Sequence, residues 1–445
     1  MRDIDTIPQL QKFSAPDRQA MKVVAKVLPF RTNSYIVEQL IDWSKVPDDP
    51  MFQLTFPQPE MLQREHFDLI SKGMQEGASA QRLKQLSDQV RLALNPHPAG
   101  QKSANVPKLN DEPVAGVQRK YRETCLVFPS QGQTCHAYCS FCFRWPQFVG
   151  LNDLKFATDE ARRFAQFIKQ ERTLTDVLIT GGDPLIMRTK NLVNYLEPFL
   201  QPGFEHIQSL RIGTKSVAYW PHRFVTDKDA DDLLRLFERI VKSGKHLAIM
   251  AHYNHWMELG TPVAEEAVRR IRSTGANIRT QSPLIRNIND DPDVWVKMWN
   301  KQVSLGCIPY YMFIERDTGA SHYFEVPLVR AYQVFQNAIQ RVSGLGRTAR
   351  GPSMSAFPGK VVVDGITEIN QEKVFVLSFM QARDPAWTKR PFFAKFDPAA
   401  TWLDGLQPAF GAERFFFEDE TDVSSPPQHP NGVIQLGARP TATIH

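Results

Sequence analysis

Three of the chain's five cysteines fall within eight residues, in the run Cys135-His136-Ala137-Tyr138-Cys139-Ser140-Phe141-Cys142. Crowded thiols of this kind point to metal rather than to a disulfide, because the thiolate is a soft anionic ligand. A structural zinc ion asks for four ligands, and His136 is the candidate fourth; adjacent Cys135 and His136 would have difficulty reaching one tetrahedral ion. Three thiolates on a four-iron cluster would instead leave one iron open to a small molecule. The other two cysteines, Cys125 and Cys307, sit inside apolar runs. A second candidate is Gly181-Gly182-Asp183, which closes the apolar run Asp176–Thr180. Two glycines allow a backbone to approach a ligand closely, and Asp183 offers a cation a partner.

These residues need a scaffold, and the pattern around them supplies one. Short apolar, β-branched runs occur at Cys125–Phe128, Asp176–Thr180, Ser209–Ile212, His246–Ala251, Asn277–Thr280 and Ile308–Phe313. Between them lie amphipathic stretches at Asp159–Gln170, Asp229–Lys242, Val263–Ser273, Pro292–Ser304 and Pro327–Arg341, so the fold class is α/β with a parallel sheet. Six strands fall short of an eight-strand barrel, which predicts a partial (β/α)6 barrel with its chemistry at the C-terminal strand ends. Residues 1–115 read as an N-terminal helical region, with helices over Leu62–Gly73 and Ser79–Leu94, punctuated by Pro57, Pro59, Pro96 and Pro98. Pro98–Val114 reads as a linker, and the barrel is expected over 116–345. After Arg350 the alternation is expected to stop. Residues 346–445 then hold a hairpin, Lys360–Gly365 with Lys373–Phe379, turning near Asp364-Gly365, and a wrapping tail disordered near Ser424–Pro430.

Composition removes several function classes. The 445 residues are 42% hydrophobic and 23% charged, and the net charge of +5 is spread without long single-sign runs. That is too mild to imply nucleic acid or an anionic membrane as the main partner. No apolar stretch is long enough for a transmembrane helix, and Met1-Arg2-Asp3 opens no secretory signal, so a cytoplasmic location is expected.

The C-x3-C-x2-C run after the first strand resembles the radical S-adenosylmethionine superfamily. The resemblance implies a 4Fe-4S cluster on Cys135, Cys139 and Cys142 whose open iron chelates S-adenosyl-L-methionine and yields a 5′-deoxyadenosyl radical. It also implies that Gly181, Gly182 and Asp183 bind the methionyl ammonium and that Phe141 packs beside the adenine. Lys120-Tyr121, Cys142-Phe143-Arg144, Arg211-Ile212-Gly213-Thr214, His252-Tyr253-Asn254-His255, Gln281-Ser282 and Pro309-Tyr310-Tyr311 are together similar to the lysine 2,3-aminomutase family. That family carries pyridoxal 5′-phosphate (PLP) on a lysine in a Pro/Gly loop, here Ser355-Ala356-Phe357-Pro358-Gly359-Lys360. A primary amine is required there because it must exchange with the substrate's amine. The resemblance gives Lys120 and Tyr121 the cofactor phosphate and Arg144 the substrate carboxylate. Gln281 joins the cofactor set, and Tyr311, His252 and Asn254 contact either ligand.

The function implied is a PLP-dependent radical amino acid 2,3-aminomutase, an isomerase that moves an amino group from Cα to Cβ. It would act on an amino acid as its small-molecule substrate, draw electrons from a donor such as flavodoxin or ferredoxin, and form a homo-oligomer, a homodimer being the better guess. The alternatives are a related radical enzyme with another reaction, or a non-catalytic iron–sulfur binding protein. Lysine-specific members read the distal ammonium with two aspartates; the matching positions are Arg316 and Ser353. An arginine facing a lysine ammonium would be repulsive, on the order of several kcal/mol in a low-dielectric pocket. The expected substrate therefore has an acidic or neutral polar side chain, unless Arg316 turns outward to Glu315 or Asp317, or a one-residue shift places Asp317 in the pocket.

Overall fold

The computed structural model describes residues 3–95, 105–150 and 156–418. Four helices open the chain: α1 (Ala15–Val27), α2 (Pro50–Thr55), α3 (Arg64–Gln75) and α4 (Ala80–Ala93). The side chains of Ser14, Asp49 and Ser79 cap α1, α2 and α4 by accepting from the backbone N–H of Asp17, Phe52 and Arg82. Arg91 reaches back from α4 to the Lys26 and Val27 carbonyls, satisfying the open end of α1. The helices read at Leu62–Gly73 and Ser79–Leu94 are α3 and α4. Pro96, Pro98 and the first half of the linker lie outside the described residues. The linker's second half holds a small hairpin, β1 (Lys108–Leu109) and β2 (Glu112–Pro113), turning at Asn110 and Asp111 with positive φ.

All other strands form one eleven-stranded sheet. Its parallel body is β4 (Thr124–Val127), β5 (Asp176–Ile179), β6 (Ser209–Thr214), β7 (His246–His252), β8 (Asn277–Leu284), β9 (Ile308–Ile314) and β10 (Arg350–Ser355). The short β3 (Val117–Gln118) pairs antiparallel with β4 at one edge. At the other edge β11 (Gly359–Ile369), β12 (Glu372–Ala382) and β13 (Pro391–Lys395) continue antiparallel from β10. The returns between parallel strands carry α5 (Ala161–Gln170), α6 (Thr189–Leu196), α7 (Ser216–Tyr219), α8 (Ala230–Lys242), α9 (Pro262–Ser273), α10 (Pro292–Ser304), α11 (Ser321–Phe324) and α12 (Leu328–Ile339).

Two expectations for the C-terminal part are corrected. The alternation continues past Arg350 for one more unit, because β10 lies parallel to β9. Its sequence, Arg-Gly-Pro-Ser-Met-Ser, lacks the β-branched residues that mark the other strands. The hairpin turns at Asn370 and Gln371, both with positive φ, and not at Asp364-Gly365. Those two residues lie mid-strand at a bulge, where the Asp364 carboxylate accepts from the Ser378 hydroxyl. The tail adds β13 and packs Phe415 and Phe417 against Phe392; residues 424–430 lie outside the described residues.

The sheet is held by apolar rows that run across its strands. Val127, Ile179, Ile212, Ile249 and Ile278 are successive cross-strand partners from β4 to β8, each almost fully buried. Partners in register share a face, so the row is a continuous apolar seam. Ile212→Ala is expected to cost about 2–5 kcal/mol and Ile212→Val about 0.5–1.5. Calorimetry should then rank melting temperature wild type, valine, alanine; three equal values would deny the row this role.

Candidate active site

The cysteine loop leaves β4 and is gripped from two sides. From the N-terminal region, the Arg31 and Leu54 carbonyls accept from the Tyr138 and Ser140 N–H at 2.8 and 2.9 Å, and the Ser140 hydroxyl donates to the Gln53 carbonyl at 2.7 Å. From the sheet, the Asp183 N–H bonds the Gly132 and Thr134 carbonyls at 3.0 and 2.8 Å. Gly182 is pressed so close that a Cβ there would lie 2.5 Å from the Thr134 carbonyl oxygen. The approach that glycine permits at this position is therefore loop to loop, not only backbone to ligand.

Cys135, Cys139 and Cys142 are half-buried on this loop. Burial raises all three thiols, Cys139 to about 11 and Cys142 to about 12, with the neighbouring thiols adding to the rise in Cys135 and Cys142. Groups held as thiols in this way are inert until a metal takes the proton's place. Among the described residues no three His, Cys, Asp or Glu side chains converge on a single metal ion. His136, the candidate fourth zinc ligand, bonds Ser216 through Nδ1 at 3.0 Å and stacks on Trp220. Three thiols on one loop, with His136 engaged by Ser216 and Trp220, are a donor set that fits a four-iron cluster with one open iron.

Asp183 is engaged by the protein itself. It is 2% exposed, and its carboxylate accepts six hydrogen bonds from protein groups. The donors are the Thr214 and Ser216 hydroxyls and the N–H groups of Leu185, Lys215 and Ser216, at 2.8 to 2.9 Å. With its lone pairs so engaged, the carboxylate braces the ends of β5 and β6. Lys215 extends the brace: its buried ammonium donates to Glu258 at 2.7 Å and to Asn254 at 2.8 Å, and Asn254 in turn donates to Ser282.

Beside the cysteine loop lies a cleft of about 930 Å³. It collects Lys120, Tyr121, Arg144, Arg316 and Lys360 from segments far apart in sequence, and adds Arg211, Arg279, Arg350, Tyr310 and Tyr311. Among the described residues, seven cationic side chains line it against one carboxylate, Asp176, which Arg211 and Thr124 already engage. The Lys360 ammonium nitrogen stands 3.9 Å over the Tyr311 ring. Burial, with Arg211 and Arg350 nearby, pulls its pKa down to about 7. Lys120 is held well below its ordinary value by burial and by Arg383, Arg316 and Lys360, and donates to the Ala356 carbonyl. Arg144 lies 4.1 Å over the Phe128 ring, Arg316 lies 5.6 Å over Phe143, and the Nε of each is buried without a partner. Glu315, Asp317 and Asp404 are close enough to Arg316 to favour its charge, and burial opposes it.

Several expected residues stand elsewhere. Ser353 is fully buried in β10 with its hydroxyl on the Met312 carbonyl, and it does not line the cleft. Lys360 is the second residue of β11 rather than part of a loop, and Gly359 packs against β12, where a Cβ would lie 2.5 Å from the Gln381 carbonyl oxygen. Phe141 packs on His252 and Phe324 inside the core. Gln281 sits half-buried on β8 between His252 and Tyr311, outside the cleft lining. Arg279 and Arg350 were missed; the first is a lone charge inside a β8 run, the second opens the strand that went unread.

No family model matches the chain. It is 28% identical over 396 residues, 89% of this chain and 92% of the relative, to an Aquifex aeolicus (strain VF5) protein named "Putative L-lysine 2,3-aminomutase". It is 26% identical over 235 residues to the L-lysine 2,3-aminomutase of Methanococcus maripaludis, 53% of this chain and 51% of that protein. It is also 22% identical over 345 residues to the glutamate 2,3-aminomutase of Clostridioides difficile, 77% of this chain and 69% of that protein. Among solved structures, a radical SAM methyltransferase from Sphaerobacter thermophilus is 14% identical with a TM-score of 0.39, covering 65% of this chain and 93% of that one. The resemblance read from the motifs is borne out by these relatives, whose printed names are those of aminomutases.

Asp183→Ala would leave two hydroxyls and three backbone N–H groups without their acceptor. The expected loss is on the order of 3 kcal/mol or more, seen as a lower melting temperature and faster proteolysis of the cysteine loop in the metal-free protein. Asp183→Asn, which keeps one acceptor oxygen, should lose less. Unchanged melting in the alanine variant would deny Asp183 the bracing role.

Proposed function

We propose that this chain is a radical S-adenosylmethionine, PLP-dependent amino acid 2,3-aminomutase built on a partial β/α barrel whose parallel strands are β4 to β10. The observation that carries the reading is the convergence of Lys360, Lys120, Tyr121, Arg144 and Arg316 on one cationic cleft beside the three-cysteine loop. When bound, the 4Fe-4S cluster and S-adenosylmethionine would supply hydrogen-abstracting radical chemistry, and PLP a π-system through which nitrogen can move between carbons. Cys135, Cys139 and Cys142 would hold the cluster. Lys360 would carry PLP, its lowered pKa leaving about half of the amine neutral and nucleophilic at neutral pH. Lys120 and Tyr121 would take the phosphate, and Arg144 the substrate carboxylate by a bidentate contact. The cleft walls would keep water from the reacting centre.

Arg316 supports a substrate with an acidic or neutral polar side chain rather than lysine. Its guanidinium lines the same cleft as Arg144, and the Asp176 carboxylate, the one acid lining the cleft, is already engaged. A second ammonium brought there would meet seven cations; a second carboxylate would meet an arginine with a partnerless Nε. Ser353 plays no part in this selection, being buried away from the cleft. The proposal extends to a soluble electron donor such as flavodoxin or ferredoxin, a homo-oligomer and a cytoplasmic location. No helix among the described residues is long and apolar enough to cross a membrane.

Two measurements test the reading. Borohydride trapping of limiting PLP, located by mass spectrometry, should modify Lys360. Because the folded pKa lies below the ordinary lysine value, the trapping rate should rise through pH ~7 and not near 10.4. A half-maximum above pH 9, or equal trapping in Lys360→Ala, would remove Lys360 from its role. In anaerobic assays glutamate or aspartate should outperform lysine, and Arg316→Ala should lower kcat/KM for the acidic substrate roughly 10–100-fold, the worth of one charged hydrogen bond. Efficient β-lysine formation by the wild type, undiminished in Arg316→Ala, would sink the substrate assignment.

A further inference from the structure

Tyr219, the last residue of α7, is 2% exposed, and its hydroxyl is buried without a hydrogen-bond partner. Buried phenols find partners in the great majority of cases, so an unpartnered one asks for a reason. The polar group its hydroxyl meets is the Cys139 side chain. A neutral thiol is a weak acceptor, whereas a thiolate bound to iron carries negative charge and accepts strongly.

The placement of Tyr219 against the cysteine loop is fixed by contacts that do not involve the hydroxyl. Asn33 Nδ2 donates to the Tyr219 carbonyl at 3.0 Å and reaches the His136 carbonyl at 3.4 Å, bridging α7 to the loop. His136 bonds Ser216 at the start of α7 and stacks on Trp220 just past its end. Ser216 is itself held by Asp183. The Lys215 ammonium stands 4.3 Å over the Tyr219 ring, which keeps the ring in place and sets a positive charge behind it. A side chain anchored this way at its backbone and ring presents its hydroxyl in one direction.

We propose that Tyr219 is a positioning residue of the cluster site, whose hydroxyl donates a hydrogen bond to the Cys139 thiolate when the cluster is bound and thereby raises the cluster's reduction potential. The proposal rests on the cluster reading above and goes beyond it. Hydrogen bonds to ligand sulfur draw negative charge off the cluster, and the reduced form, which carries one more electron, gains most. The step is a one-electron transfer from an external donor to the cluster. Tyr219 keeps its proton throughout.

The test compares wild type and Tyr219→Phe, each reconstituted anaerobically with iron and sulfide. Titration monitored by electron paramagnetic resonance should give a more negative midpoint for the variant. At the wild-type midpoint the ratio of reduced to oxidised cluster should fall roughly tenfold, equivalent to about 59 mV for a one-electron couple. Pulsed resonance of the reduced wild type in heavy water should show a strongly coupled exchangeable deuteron that the variant lacks. Equal midpoints and equal deuteron couplings in two intact clusters overturn the proposal. If the variant takes up no cluster, the wild type alone decides, since absence of the coupled deuteron overturns it there. A wild type that binds no cluster would instead overturn the cluster reading, and this proposal with it.

Discussion

The buried carboxylate of Asp183 is the constraint on which the site's geometry depends. A carboxylate moved out of water without partners would be prohibitively costly, so its position is dictated by the donors that surround it. Those donors come from the β5 loop, the end of β6 and the start of α7, and none can move far without breaking charge-assisted bonds worth about 1.5–3 kcal/mol each. The Asp183 N–H meanwhile holds the cysteine loop through Gly132 and Thr134, and Ser216 holds it again through His136. One residue thus sets the spacing between the cysteine loop and the strand ends that face it. The brace continues outward, because Lys215, whose N–H serves Asp183, uses its ammonium to tie Glu258 and Asn254 at the end of β7.

The cleft follows a different rule, being built from charges that repel one another. Burial lowers the proton affinity of Lys120 and Lys360, and the neighbouring cations lower it further. Aromatic faces supply part of what counter-ions would. Phe128 lies under Arg144, Phe143 beside Arg316, Tyr310 under Arg350, and Tyr311 under both Arg350 and Lys360. Such a cleft is poised to gain from anions, since each arriving phosphate or carboxylate relieves repulsion as well as forming its own bonds. A phosphate-bearing cofactor and an amino acid with one or two carboxylates would suit that demand in sign.

What the sequence disclosed follows from which physical signals are local. Buried parallel strands such as His246–His252 announce themselves as apolar runs, and amphipathic helices such as α8 by their period. The strand β10 carries glycine, proline and two serines, and exists because β9 and β11 offer it ladders on both sides; that support is tertiary and leaves no trace in composition. The cysteines stood out by their crowding, whereas Arg144, Lys120, Tyr121 and Lys360 were singled out by the family resemblance; the structure brings those four to one cleft. Ser353 was placed by counting along the chain, and counting assumes an unbroken register. The β9–β10 ladder is irregular between Arg350 and Ser353, so the count cannot say which way the side chain faces. Asp183 was recognised as important, whereas the five protein donors that converge on it from three segments are visible only in three dimensions.

Lys360 shows how the same irregularity can serve chemistry. The expectation of a Pro/Gly loop would leave the amine on a mobile segment, at a cost in precision for any group that must be repositioned at each turnover. The structure instead sets it in β11, paired with Ser355 on one side and Gln381 on the other. A register shift between Lys360 and Val361 against β12 marks a bulge, and bulges re-aim a side chain without loosening the strand. The amine is thereby held over Tyr311 with Arg211 and Arg350 nearby, where burial and like charge together make it a base near neutrality. Gly359, pressed against the β12 backbone, is the residue that lets the two strands come close enough to support that placement. Rigidity of the strand fixes where the nitrogen is, and burial, with the surrounding cations, fixes which protonation state it prefers. Neither would suffice alone.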